Sequence, residues 1–224
     1  MINFVLCFLA YGDEHIDEFN ITSNKLIKSN PTLPIFVLTD DKSKIDNLSV
    51  NVIETQEEFN FNLKRYVVEE AFKQYDTIIL LDTDVNITSF SFITELQSDG
   101  MWVKWIDPKL THKGNRLDMY NNEYCVELSK LNTHKLPIQF IPEFCVVIRI
   151  EDIVKRMNFI ERWGKIHNSI KQFEPTDRHY NLNGALEGCI MYLTCMDLGI
   201  PVIPYDNKLE VTHYASLHFE KRLV

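Results

Sequence analysis

The sequence predicts a three-layer α/β/α domain built on a parallel or mixed, mostly parallel sheet, and three observations carry that prediction. Strand-like apolar runs alternate with stretches of helical periodicity. One run, Thr77 to Leu81, is apolar or β-branched without interruption, as suits a strand covered on both faces. Two carboxylates, Asp82 and Asp84, follow that run at once, where open α/β sheets collect their ligands.

Taken in order, strands are expected at Phe4 to Tyr11, Pro34 to Thr39, Val50 to Ile53, Thr77 to Leu81, Met101 to Ile106, Phe140 to Ile150 and Ile200 to Tyr205. Ile16, Phe19, Ser23, Leu26 and Ile27 fall at helix spacing, and so do Leu63, Val67 and Ala71. Ile153, Met157, Ile160, Trp163, Ile166 and Ile170 step by three and four residues, which predicts an amphipathic helix packed on the sheet. Gly184 to Leu198 reads as a last helix, with Gly199 as its stop and Pro201 beyond. Between Asp107 and Pro137 the alternation breaks, and a loop that long inside a domain is usually functional or mobile.

A chain of 224 residues can bury one substantial core, so residues 1–224 are expected to form a single domain. Hydrophobic residues at 45% and charged residues at 25% match ordinary globular usage. A net charge of -9 argues against a protein that grips nucleic acid. Cys7, Cys125, Cys145, Cys189 and Cys195 include no Cys-x-x-Cys pair and sit mostly among apolar neighbours, as expected of free thiols in a reducing compartment. The opening Met1 to Tyr11 has no basic residue before it and no small-x-small cleavage site after it, so it reads as a first strand and the expected location is cytoplasmic. No apolar run approaches the length of a membrane span.

Asp82-Thr83-Asp84 is the only Asp-x-Asp in the chain. Alone, that tripeptide also suits an ordinary turn in which Asp side chains bond local backbone. At the end of a buried strand its hard oxygen donors suit a divalent cation, which can in turn hold the phosphates of a nucleotide. Trp102, Trp105 and His112 lie on or just after a strand and are candidates for stacking on acceptor sugar rings, although core burial is the commoner fate of such tryptophans.

The succession of Ala10-Tyr11-Gly12-Asp13 after a strand, Phe36-Val37-Leu38-Thr39-Asp40, Lys64-Arg65-Tyr66 on a helix and Leu80-Leu81-Asp82-Thr83-Asp84 resembles the GT-A class of nucleotide-sugar glycosyltransferases. The chain is most similar to the group containing glycogenin and the bacterial lipooligosaccharide galactosyltransferases. The resemblance implies a GT-A, Rossmann-like nucleotide-diphospho-sugar transferase fold and transfer of a sugar, with a UDP-sugar as the expected donor, to an acceptor hydroxyl of a glycan, glycoprotein or glycolipid. It implies Mn²⁺ or Mg²⁺ on Asp82 and Asp84, and a third ligand from Val211-Thr212-His213-Tyr214; His213 is favoured over His218 because of the adjoining Tyr. Lys221 follows in the same region, without the Gly and Pro-Trp that usually flank the family's lysine.

By the same resemblance, Ala10, Tyr11, Asp13 and Asp40 are candidates for the nucleoside, and Lys64 or Arg65, together with Asp82 and Thr83, for the phosphate side of the donor. Glu187 in Asn183 to Cys189 is the first candidate for the acid near the reacting carbon and Glu143 the second, as general base or as stabiliser of a positive sugar ring. Pro142 to Arg149 lacks the family's Asn-Ser-Gly, so neither the donor sugar nor the stereochemistry follows from it. Two other readings remain. One is a catalytically weak or inert glycan- or nucleotide-binding module on the same fold. The other is a sugar nucleotidyltransferase, for which Gly12-Asp13-Glu14-His15 offers no Gly-rich, basic loop.

Overall fold

The computed structural model describes residues 3–60, 62–104, 130–131, 144–170, 182–205 and 208–213, with the backbone alone for 182–186, 212 and 213. The described strands are β1 (Phe4–Ala10), β2 (Ile35–Thr39), β3 (Asn51–Glu54), β4 (Thr77–Leu81), β5 (Val85–Ile87), β6 (Gly100–Val103), β7 (Cys145–Arg149), β8 (Val202–Pro204) and β9 (Val211–His213). The described helices are α1 (Asp13–Ser29), α2 (Leu63–Phe72), the single turn α3 (Ser91–Thr94), α4 (Ile153–Ile170) and α5 (Leu182–Asp197), with a short 3-10 turn at Lys42–Lys44.

Seven strands form one sheet in the order β3-β2-β1-β4-β7-β6-β8, and β5 pairs with β9 in a separate ribbon. β1 lies between β2 and β4, parallel to both, and β3 extends the parallel half. β7 runs antiparallel to β4 and to β6, while β6 and β8 are parallel to each other. The expected mixed, mostly parallel α/β sheet is thus present.

Alternation along the strands divides the core into two layers. Val5, Cys7, Ile78, Leu80, Val146 and Ile148 pack with α2, α4 and α5. Leu6, Phe8, Ile79, Leu81 and Val147 pack on the other side with Ile16, Phe19 and Leu26 of α1. β1 and β4 are buried on both faces, which explains their unbroken apolar runs.

The boundaries of α4 coincide with its apolar stripe, and α5 ends just before Gly199, whose φ of 60° is the left-handed stop that glycine supplies. The predicted strand at 140–150 is shorter in the structure, Cys145–Arg149, and residues 140–143 lie outside the described part. β5 and β9 were not anticipated, because three residues are too few to show a period of two.

The turn from β1 into α1 depends on Gly12. Its φ of 79° and ψ of 158° belong to a region that essentially only glycine occupies. There its N–H donates to Asp40 Oδ1 at 2.9 Å and its carbonyl accepts from Ile16 N at 3.0 Å. An added Cβ would meet nothing within 4 Å, so the strain of Gly12→Ala is purely conformational. Chemical denaturation should show that variant destabilised by about 1–3 kcal/mol; an unchanged midpoint would contradict this account of the turn.

Candidate metal and donor site

The chain leaves β4 through a tight turn in which Val85 N donates to Asp82 O at 3.2 Å, while Asp82 N donates across the sheet to Phe144 O at 3.1 Å. Leu80 faces the layer of α2, α4 and α5, and Leu81 faces α1. The next two residues continue the alternation. Asp82 meets Lys64 of α2, with Lys64 Nζ 2.8 Å from Asp82 Oδ1. Thr83, only 4% exposed, meets α1: its Oγ1 donates to Glu18 Oε2 at 2.7 Å, and its carbonyl accepts from Thr22 Oγ1 at 2.7 Å.

Lys64 also lies against Glu187 of α5, Nζ to Oε2 3.3 Å. The Lys64 side chain is 5% exposed and that of Glu187 2%, whereas the Asp82 side chain is 36% exposed and opens outward. An ammonium withdrawn this far from water requires counter-charge, because an unpaired buried ion costs several kcal/mol. The contact to Glu187 is an ion-pair distance without hydrogen-bond alignment, and among the described residues neither carboxylate oxygen of Glu187 has a hydrogen-bond partner. Burial pushes the Glu187 carboxyl up to about 7, Lys64 opposes that shift, and the charge of Asp82 adds to it.

β5 continues directly from the turn and pairs antiparallel with β9, placing the backbone of His213 opposite Val85, the residue after Asp84. The described backbone therefore brings all three expected metal ligands, Asp82, Asp84 and His213, to one edge. Among the described residues no complete group of three His, Cys, Asp or Glu side chains is assembled, and the His213 side chain lies outside them. Two partly exposed carboxylates one residue apart on a fixed turn are hard oxygen donors of the kind that Mn²⁺ and Mg²⁺ accept.

The other candidates separate clearly. Ala10 is fully buried at the end of β1, and Asp40 is fixed by the Gly12 N–H. Tyr11 is half-buried, its hydroxyl donating to Glu57 O at 2.9 Å and its ring 5.3 Å from that of Phe59. Asp13 is exposed and pairs with Lys44 at 2.8 Å. Of the two basic residues on α2, Lys64 enters the site. Arg65 does not: its guanidinium lies over the Tyr66 ring at 4.4 Å and beside Gly164 of α4. Trp102 is buried at 6% against Phe92, so it belongs to the core and not to an acceptor surface. Glu143, Trp105, His112, Tyr214, His218 and Lys221 lie outside the described residues.

Three contributors were missed at the sequence level. Glu18 and Thr22 sit on α1 at the spacing of His15, Glu18 and Thr22, a polar stripe beside the apolar one, and that adjacency was the available signal. Lys104 follows β6 and lies 5.5 Å over the ring of Phe144, whose carbonyl holds Asp82 N; nothing in its local sequence marks it.

No family model and no curated protein matches the sequence. Among solved structures, an active-site mutant of LgtC is similar at 11% identity and a TM-score of 0.48, covering 89% of this chain and 71% of that one. Galactosyltransferase LgtC in complex with donor and acceptor sugar analogues is similar at 12% identity and a TM-score of 0.44, with 83% and 70% covered. Likeness of this degree carries no argument about the site or its chemistry.

The Glu187 carboxyl yields a test by pH. Its value in the folded protein, about 7, lies above the ordinary 4.5, so the folded state holds the proton more tightly than the unfolded chain. Its contribution to stability therefore falls as pH rises from 4.5 through 7. Glu187→Gln imitates the protonated form at every pH. The melting temperature of that variant minus that of the wild type should be small near pH 4.5 and grow toward pH 8; a difference independent of pH would show that Glu187 does not titrate in the folded protein.

Proposed function

We propose that this protein is a metal-dependent glycosyltransferase that takes a nucleotide-diphosphate sugar, a UDP-sugar first among them, and transfers the sugar to an acceptor hydroxyl on a glycan, glycoprotein or glycolipid. The observation that carries this reading is the end of β4, where Asp82 and Asp84 stand on a fixed turn, Asp82 is gripped by the buried ammonium of Lys64, and the backbone of His213 runs alongside. Asp82, Asp84 and His213 would hold Mn²⁺ or Mg²⁺. Bound there, the ion would neutralise the negative charge that gathers on the departing nucleotide diphosphate.

The chain's own residues do the rest. Lys64 fixes the carboxylate of Asp82 and adds a positive charge at the phosphate side of the donor. Glu187, buried behind Lys64, holds that ammonium in place. Tyr11 and Phe59 form a partly exposed aromatic pair beside the turn that Gly12 and Asp40 hold, a surface on which a base can stack. Of the two expected acids, Glu187 lies buried beside Lys64 at 2% exposure, and Glu143 lies outside the described residues.

A thermal-shift panel of UDP, GDP and dTDP with and without Mn²⁺ tests the donor class. UDP with Mn²⁺ should stabilise the wild type by about 2–3 kcal/mol at roughly a hundredfold excess over Kd, and a UDP-sugar incubated with Mn²⁺ should release UDP slowly. Asp84→Asn should lose the dependence on Mn²⁺ while melting normally without ligand. Stabilisation without any UDP release from a panel of UDP-sugars would favour an inert binding module. A response to none of the nucleotides would refute the donor reading.

A further inference from the structure

We infer that helix α1 is the second clamp of the metal turn, with Glu18 as a positioning residue that sets the geometry of Asp82 and Asp84 by holding Thr83 between them. The inference rests on the reading of that turn as a cation site.

The argument begins with the alternation at the end of β4. Asp82 and Thr83 point to opposite layers, so a helix on one face can reach only one of them. α2 reaches Asp82 through Lys64. α1 reaches Thr83 twice. Glu18 Oε2 receives the hydroxyl of Thr83, and the hydroxyl of Thr22 reaches the Thr83 carbonyl, each at 2.7 Å. Both ends of the residue between the two carboxylates are thereby tied to one rigid helix. Within the turn itself, Val85 N donates to Asp82 O at 3.2 Å and closes the loop around Thr83.

Glu18 is itself held. The Glu18 side chain is 17% exposed, and the oxygen that receives Thr83 also meets His15 Nδ1 at 3.1 Å. His15 stands one turn earlier on the same helix face with its side chain 47% exposed. Its hydrogen bond to Glu18, helped by the negative charge of Glu14 and Asp82 and opposed by partial burial, holds His15 above its ordinary value. The carboxylate of Glu18 thus has a rotamer fixed from two directions. A buried threonine whose only task is to fill space could be replaced by valine. One whose hydroxyl aims the turn could be replaced by serine alone.

That contrast is the experiment, read with Mn²⁺ alone and no donor. Binding is measured by electron paramagnetic resonance titration of free Mn²⁺, the spectrum of the bound ion reports its symmetry, and melting in EDTA reports the fold. Thr83→Val should raise the Kd for Mn²⁺ about tenfold, as loss of an outer-shell partner does, and change the bound-ion spectrum, while melting stays within a few degrees of wild type. Thr83→Ser should restore affinity to within about twofold and recover the wild-type spectrum. Glu18→Ala should resemble Thr83→Val, and the double variant should be no weaker than either single one, since the two side chains act as a unit. Wild-type affinity and spectrum in Thr83→Val, equal damage in Val and Ser, or multiplicative losses would each overturn the clamp and leave the cation site standing. Failure of the wild type to bind Mn²⁺ would overturn the cation site and the clamp together.

Discussion

The arrangement depends on one buried ammonium. Lys64 is 5% exposed and sits between Asp82, at 2.8 Å, and Glu187, at 3.3 Å. Withdrawing an ammonium from water is expensive, and the expense is offset chiefly by the Asp82 carboxylate, because burial leaves Glu187 holding its proton up to about 7. α2 brings the charge, β4 ends in one partner and α5 carries the other, so three elements far apart in sequence are bound to a single placement. The apolar core of Val67, Val68, Ile78, Leu80, Ile190 and Leu193 would tolerate small slips between these elements. A charged contact of this length tolerates much less. Precision at the carboxylate turn therefore comes from electrostatics set on a core that packing alone would leave looser.

The features legible in the sequence were those that repeat. The unbroken run Thr77 to Leu81 announced a strand buried on both faces, and the stepping of Ile153 to Ile170 gave α4 its limits, because burial on a sheet or a helix imposes a period that several residues report together. β5 and β9 have three residues each, too short for any period, and they exist because their pairing partner is available across the chain. Their importance for the site is out of proportion to their length, since they bring the backbone of His213 beside the turn.

Adjacent residues with similar chemistry show where reading by pattern stops. Lys64 and Arg65 are both basic and both on α2, and only helix phase separates them. Lys64 lies on the stripe of Val67, Val68 and Ala71 that faces the sheet, whereas Arg65 is turned about 100° away, toward α4. A lysine in a buried stripe contradicts the binary pattern, and that contradiction was the usable clue. Thr22, Ser23 and Asn20 on α1 are likewise polar and buried, and Thr22 turned out to hold the carbonyl of Thr83 between the two aspartates. Buried polar residues on an amphipathic helix mark the places where a hydrogen bond, here to the Lys44 and Thr83 carbonyls, overrides apolar packing.

The charges around the turn also explain why it is held from both layers. Asp82, Asp84 and Glu18 crowd the carboxyl end of β4, with Lys64 against Asp82 and His15 against Glu18. Like charges on a short turn repel, and a free loop would relieve that repulsion by swinging its side chains apart into water. Here each flanking layer contributes a restraint with its own sign of charge: an ammonium from α2 against Asp82, and from α1 a carboxylate that receives the neutral hydroxyl of Thr83. The negative charge stays concentrated on the outward edge, where Asp82 is 36% exposed, and a concentrated negative edge on a rigid turn is what a divalent cation requires.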